Sequence, residues 1–234
     1  MAALNELKDI VVEGLVSDIF KMERAYHILS VIGSNVDQLN DRALGNFGEL
    51  FGAFQGSLEV DAVLAVARVY DSPSKQYPTR CLRRALSLME DRVAELPEIA
   101  ERYNTKLSLA FLGENSSVVG SVDLGRNAFV ARFVPAFREI LDSEAVSKAV
   151  DSLKYVRDKR IAHNEAAEPH GPTWEALKSL INHAQNFVGV VGWAFFNTVY
   201  VHDGAYFLSD DAQRPSRALR RLVERIRVTG RGDR

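Results

Sequence analysis

Cysteine is nearly absent from this 234-residue chain: Cys81 stands alone. One cysteine cannot close an internal disulfide, so a reducing cytoplasm is the simple expectation. Cys81 sits in TRCLRRAL with no histidine or asparagine partner in evidence, so it reads as a small core residue rather than a nucleophile. Charge of one sign is lacking too. The net charge is −2, so no global field draws the chain to nucleic acid, and any attraction for RNA must be local. Long apolar runs are missing: the longest, 187–196, falls short of the roughly 20 residues a bilayer needs, which argues against a membrane span. The first residues carry Glu6, Lys8, Asp9 and Glu13, unlike an ordinary signal peptide.

Several recognisable site patterns are missing as well. Neither G-x-G-x-x-G nor a P-loop occurs, and there is no G-x-S-x-G elbow. His27, His170, His183 and His202 fall in no metal-ligand spacing, so neither a metal nor a cofactor is expected. His183 is the one of these placed to approach His163, although an ordinary core or surface role is the favoured reading.

What is present is helical periodicity in a composition that is 47% hydrophobic and 26% charged, enough for one globular domain with a sizeable core. Apolar residues recur at Leu4, Leu7, Val11, Leu15, Ile19 and Met22, predicting a long helix over about 4–29 that ends at Gly33 to Asn35. A second helix is expected over 47–69, with Phe47, Leu50, Phe51, Phe54 and Leu58 as its stripe. Gly52 and Gly56 would let another helix approach closely. Further helices are expected over 78–96, from Pro97 to about 112, from an Asp123 cap to 141 with an interruption at Pro135, and from Ser143 to about 163. Residues 113–121 and 164–173 read as loops. Thr173 caps a helix to about 196, apolar nearly all round at its end and therefore buried in the core or in a dimer interface. Asp203–Gly204 between aromatics suggests a short hairpin, and a last helix spans 215–228. The fold class is all-α, one antiparallel helical bundle with additional helices over 1–213, followed by a basic helix and mobile tail over 214–234.

The chemistry concentrates in LKYVRDKRIAHNE, residues 153–165. Arg157 and His163 are six residues apart, which on a regular helix leaves them roughly 240° apart and off a common face. They converge if the last turn unwinds, or if a second copy of the chain supplies the partner. Arg160 and His163, three apart, do share a face. The residues alone also fit a solvated basic helix end that suits the helix dipole. Asp158 either orients an arginine or histidine, or forms a surface ion pair with Arg160 or a neighbour. Asn164 either meets a phosphate or caps the helix. Tyr155 points elsewhere and belongs to the core or its rim.

RDKRIAHNE resembles the R-x(4–6)-H signature of the HEPN superfamily, with Arg157 as the arginine, Asp158 as the polar residue after it, Ala162 as the small residue and His163 as the histidine. The helix ending VARVYD at Asp71, a Ser/Pro break, a helix with paired arginines and this motif resemble the AbiU-type, abortive-infection branch over roughly 45–200. The resemblance implies a HEPN-like fold and a metal-independent endoribonuclease leaving 2′,3′-cyclic phosphates, with Arg157 and His163 catalytic and Asp158, Arg160 and Asn164 supporting. It implies RNA as substrate, a homodimer pooling two Arg/His pairs, and a toxin or phage-defence setting with an antitoxin protein as candidate partner. HEPN domains also serve as non-catalytic dimerisation or RNA- and nucleotide-binding modules, and that alternative stays open. Residues 214–234 hold eight arginines against Glu224 and Asp233. Arg217, Arg220 and Arg221 are the RNA-contact candidates there. A docked surface helix, or one that grips a protein partner, is the competing reading.

Overall fold

The computed structural model describes residues 2–74, 76–111, 116–162 and 172–232. The N-terminal stripe forms one continuous rod: α1 (Ala2–Lys8), a π-helical segment (Asp9–Val16) and α2 (Ser17–Gly33). Leu7, Val11, Leu15, Ile19 and Met22 are wholly buried along it, as the 3–4 spacing requires. A short α3 (Val36–Leu39) leads to α4 (Gly48–Tyr70), which packs along α2. Then follow α5 (Leu82–Asp91), α6 (Arg102–Phe111), α7 (Ser116–Ser121), α8 (Arg126–Asp142) and α9 (Glu144–Val156). The chain closes with α10 (Trp174–Val191), a hairpin of β1 (Val201–His202) and β2 (Ala205–Tyr206), and α11 (Ser209–Gly232). Among the described residues this two-residue pairing is the only sheet, so the fold is all-α.

Phenylalanines dominate the centre. Phe129, Phe133 and Phe137 lie one turn apart on α8 and are wholly buried with Phe187 of α10. Ring centroids are 5.1 Å apart for Phe129–Phe133 and Phe137–Phe187, and 6.0 Å for Phe133–Phe187. Pro135 does not interrupt α8. It faces solvent together with Ala131, whose carbonyl it leaves without a helical donor, so water can satisfy that oxygen. The apolar end of α10 goes to the core rather than to a free surface: Phe187, Val188, Val190 and Val191 are all buried.

The predicted Thr173 cap is present, and Ser143, where the sequence predicts that a helix restarts, caps as well. Ser143 Oγ accepts from the Val146 N–H at 3.4 Å, and Thr173 Oγ1 from the Ala176 N–H at 3.2 Å. The hairpin is present too, with Asp203 and Gly204 both at positive φ (49° and 73°), as a two-residue primed turn demands. It folds back on α10 where Gly192 leaves room. A Cβ on Gly192 would stand 2.7 Å from the Thr198 carbonyl oxygen and 2.6 Å from the Tyr200 ring. Gly192→Ala is therefore expected to cost about 1–3 kcal/mol, read as a lower midpoint in urea at unchanged slope.

Other boundaries differ from the sequence expectation. The helix expected over 78–96 is confined to α5 and a 3₁₀ turn (Val93–Glu95), because Cys81 is extended and Arg92 leaves helical geometry to pair with Glu95 and Glu6. Pro97 does not open α6. Residues 97–101 run irregularly across the bundle, with Ile99 buried and the Ala100 N–H bonded to the Ala194 carbonyl at 2.9 Å. Asp123 lies in a 3₁₀ turn and binds Lys106 at 2.9 Å, while Gly125, at φ 94°, precedes α8. Part of the predicted 113–121 loop is α7. The last helix starts six residues before Pro215 and runs past Val228 to Gly232.

The largest departure is on α4. Phe51 is buried against Ile32, Leu39 and Val223, with Phe47 and Leu58 beside it, but Leu50 and Phe54 are each 51% exposed. Among the described residues, no atom beyond the helix's own backbone and the adjacent residues comes within 4 Å of a Cβ built at Gly52 or Gly56, so no described helix uses the gap these glycines leave. Here α4 has left the main core, and α2 and α11 cover only one of its sides. By length and composition Gly48–Tyr70 is also apolar enough to cross a membrane, unlike the 187–196 run considered in the sequence; its C-terminal half is a packed core helix.

Candidate active site

α9 runs into a π-helical segment (Arg157–Ala162) that packs against α4. The regular helix thus ends at Val156, and i→i+5 bonding of this kind re-aims side chains and recurs at functional sites. Arg157 is at the first position of the wide turn, partly exposed. Its Nε donates to Asp158 Oδ1 at 2.7 Å. That bond, with the nearby charges of Asp158 and Asp71, holds the guanidinium pKa above its already high value despite partial burial. Asp158 therefore forms an ion pair with its chain neighbour Arg157. Arg160 lies within the same π turn. His163 and Asn164 lie outside the described residues, as does His170. Tyr155 is 40% exposed and forms part of the rim.

Asp71, which ends α4, brings a carboxylate near Arg157 from a distant part of the chain. Only the tertiary fold reveals that neighbour. Two openings flank the turn it begins. One is a cleft of 510 Å³ reaching α1 and the Asp9–Val16 segment, where Arg80 binds Asp9 at 2.7 Å and Arg68 binds Asp18 at 2.7 Å. Paired in this way, those arginines offer little net charge to a phosphate. The other, of 210 Å³, lies between Tyr70, Ser72 and the Asp151–Lys154 face of α9.

The remaining sequence candidates disperse. Cys81 is buried at the start of α5, as a core residue. His183 is half-buried beside Ser179 Oγ at 3.2 Å, and desolvation pushes its pKa down. His27 is 3.7 Å from Glu23, and His202 is 3.5 Å from Asp203. Among the described residues no cluster of His, Cys, Asp and Glu could hold a metal ion. Arg217, Arg220 and Arg221 are exposed on α11, which packs along α2, whereas the Arg157 turn rests on α4 and α9. Arg217 is partly occupied by Asp210 at 3.3 Å.

The motif, its position at a broken helix end and the all-helical frame agree with a family-wide comparison: the model of the family HEPN_AbiU2, described as AbiU2, matches residues 4–219. The chain belongs to the AbiU2 family of HEPN proteins. No curated protein and no solved structure matches it significantly. The AbiU2 match covers nearly the whole described bundle and stops within α11, so the HEPN fold includes α1 and α2 as well as the 45–200 stretch that carries the sequence resemblance.

Proposed function

We propose that this AbiU2-family chain is a metal-independent endoribonuclease that acts as a cytoplasmic homodimer in a toxin or phage-defence role. The observation that carries the reading is the π turn, which presents Arg157, clamped by Asp158, at the start of the segment leading to His163. His163 supplies a base whose pKa lies near neutrality. It takes the proton of a ribose 2′-OH, and the 2′-oxygen attacks the adjacent phosphorus. The bond from phosphorus to the 5′-oxygen breaks, and the leaving oxygen takes a proton from the second protomer's imidazolium. Arg157 stabilises the charge that builds on the equatorial phosphate oxygens through forked hydrogen bonds. A two-fold pairing would set Arg157 of one protomer opposite His163 of the other, which removes the angular difficulty of their six-residue spacing. Arg217, Arg220 and Arg221 would add sequence-independent phosphate contacts away from the cut, and an antitoxin protein would restrain the active dimer.

The test uses the purified full chain on single-stranded and structured RNA with EDTA present. Cleavage with 2′,3′-cyclic phosphate and 5′-OH ends is expected, and His163→Ala should reduce it by about 10²–10⁴-fold with the helical circular dichroism unchanged. If the wild-type dimer cuts no RNA, or the His163→Ala chain cuts as well as wild type and is equally toxic to growing cells, the nuclease reading falls.

A further inference from the structure

Most charged side chains around α5 are already paired. Arg80 holds Asp9, Arg83 holds Asp142, Arg84 holds Glu6, and Arg92 holds Glu6 and Glu95. The 210 Å³ pocket on the Asp151–Lys154 face of α9 differs except at Arg83, which lines it while bound to Asp142 at 2.6 Å. Its floor is apolar and buried: Leu82, Leu141, Val150 and the ring of Tyr70. The Tyr70 hydroxyl donates to the Leu180 carbonyl at 2.5 Å, which fixes that ring in place. Its rim carries Ser72, Ser147, Asp151 and Lys154. Among the described residues, none of these four side chains has a hydrogen-bond or ion-pair partner. An apolar floor under a few convergent free polar groups is the composition of a small-molecule site.

The pocket opens on the Asp151–Lys154 face of α9, one turn before Arg157. Lys154 precedes Arg157 by three residues, so the two share a helix face. Tyr70 and Ser72 flank Asp71, whose charge acts on Arg157. The volume lies below the roughly 300–1,000 Å³ of pockets that enclose drug-sized ligands, so it suits one planar ring system with its substituent projecting out.

We propose that this pocket receives the nucleobase next to the phosphate held by Arg157, and that it favours bases with an exocyclic amino group over uracil. This rests on the nuclease reading of Arg157 given above. The floor covers the base faces. Asp151, an acceptor only, takes the exocyclic amino hydrogens that adenine, cytosine and guanine carry and uracil lacks, and a Ser72 or Ser147 hydroxyl donates to the bare ring nitrogen beside the amino group of adenine or cytosine, or accepts from the ring N–H of guanine. Uracil presents acceptors at both exocyclic positions and meets the Asp151 carboxylate unfavourably. Lys154, on the Arg157 side, meets the phosphate.

Binding of mononucleotides needs no catalysis, so the test separates this proposal from the nuclease reading. AMP, CMP and UMP are titrated into the full chain by calorimetry, and the bases flanking the cuts in RNA are sequenced in parallel. AMP and CMP are expected to bind at least about tenfold tighter than UMP. Asp151→Asn, at an exposed position, should erase that preference. Ser147→Trp should fill the pocket and abolish binding of all three, with the circular dichroism of both variants unchanged. Equal affinity for UMP, no binding of any nucleotide, or binding untouched by either variant overturns the pocket. RNA cleavage without base preference overturns it while the nuclease reading stands; preferential binding without cleavage supports the pocket and overturns the nuclease.

Discussion

Arg157→Lys is expected to lower RNA cleavage by about 10²–10³-fold in kcat, the loss found when one preorganised donor to a developing oxyanion is removed. The charge survives this substitution, so a loss of that size tests geometry rather than electrostatic attraction. Arg157 uses its Nε on Asp158 at 2.7 Å, and this bond sets the plane of the guanidinium. Its terminal nitrogens then project as a fixed fork suited to two phosphate oxygens. A lysine ammonium has no second arm: it either stays on Asp158 or reaches the phosphate as a single point. Stability should hardly move, because lysine keeps the charge and the ion-pair partner Asp158 is 53% exposed. Single-turnover cleavage at saturating RNA, alongside urea unfolding, makes the check. A rate within a few-fold of wild type would remove Arg157 from the chemistry.

Phe133→Ala should cost about 3–5 kcal/mol, the range for emptying a large aromatic site in a core. Phe133 is wholly buried, touches Phe129 and Phe137 on its own helix, and faces Phe187 at 6.0 Å on α10. The vacated volume is walled by other rings held in their own contacts, so collapse is restricted and the cost lies in the upper part of that range. For a domain of this size each kcal/mol moves the melting temperature by roughly 2–4 °C, so a fall of about 6–20 °C is expected by calorimetry. A fall below a few degrees would mean that the aromatic cluster can repack.

Periodicity was the most dependable guide in the chain. The N-terminal stripe, the Ser143 and Thr173 caps and the Asp203–Gly204 turn each depend on neighbours a few residues away, and each is where the spacing puts it. Pro97 and Asp123 carried equally good helix-start chemistry without starting helices. At Pro97 the Ala100–Ala194 bond and the buried Ile99 hold an irregular crossing, and at Asp123 the side chain is taken by Lys106. These are long-range competitors that a local signal does not contain. The α4 stripe misled for the same reason. Five apolar residues predict a buried face, but what reaches α4 near Phe54 depends on where α2 and α11 end.

The sequence by itself determined the helical class and the AbiU-type HEPN resemblance, because propensity, 3–4 spacing and the R-x(5)-H pattern are all local properties. It also isolated the geometric question, namely how Arg157 and His163 could serve one site across six residues. The tertiary structure alone decided that the last turn of α9 widens into a π segment, that Arg157 Nε bonds Asp158, and that Asp71 approaches from the end of α4. It alone assembled the pocket of Tyr70, Ser72, Ser147, Asp151 and Lys154. Such groups are separated by up to eighty or so residues along the chain, and they meet because burying the apolar faces of α4, α5, α8 and α9 against one another leaves their polar edges around a common hollow.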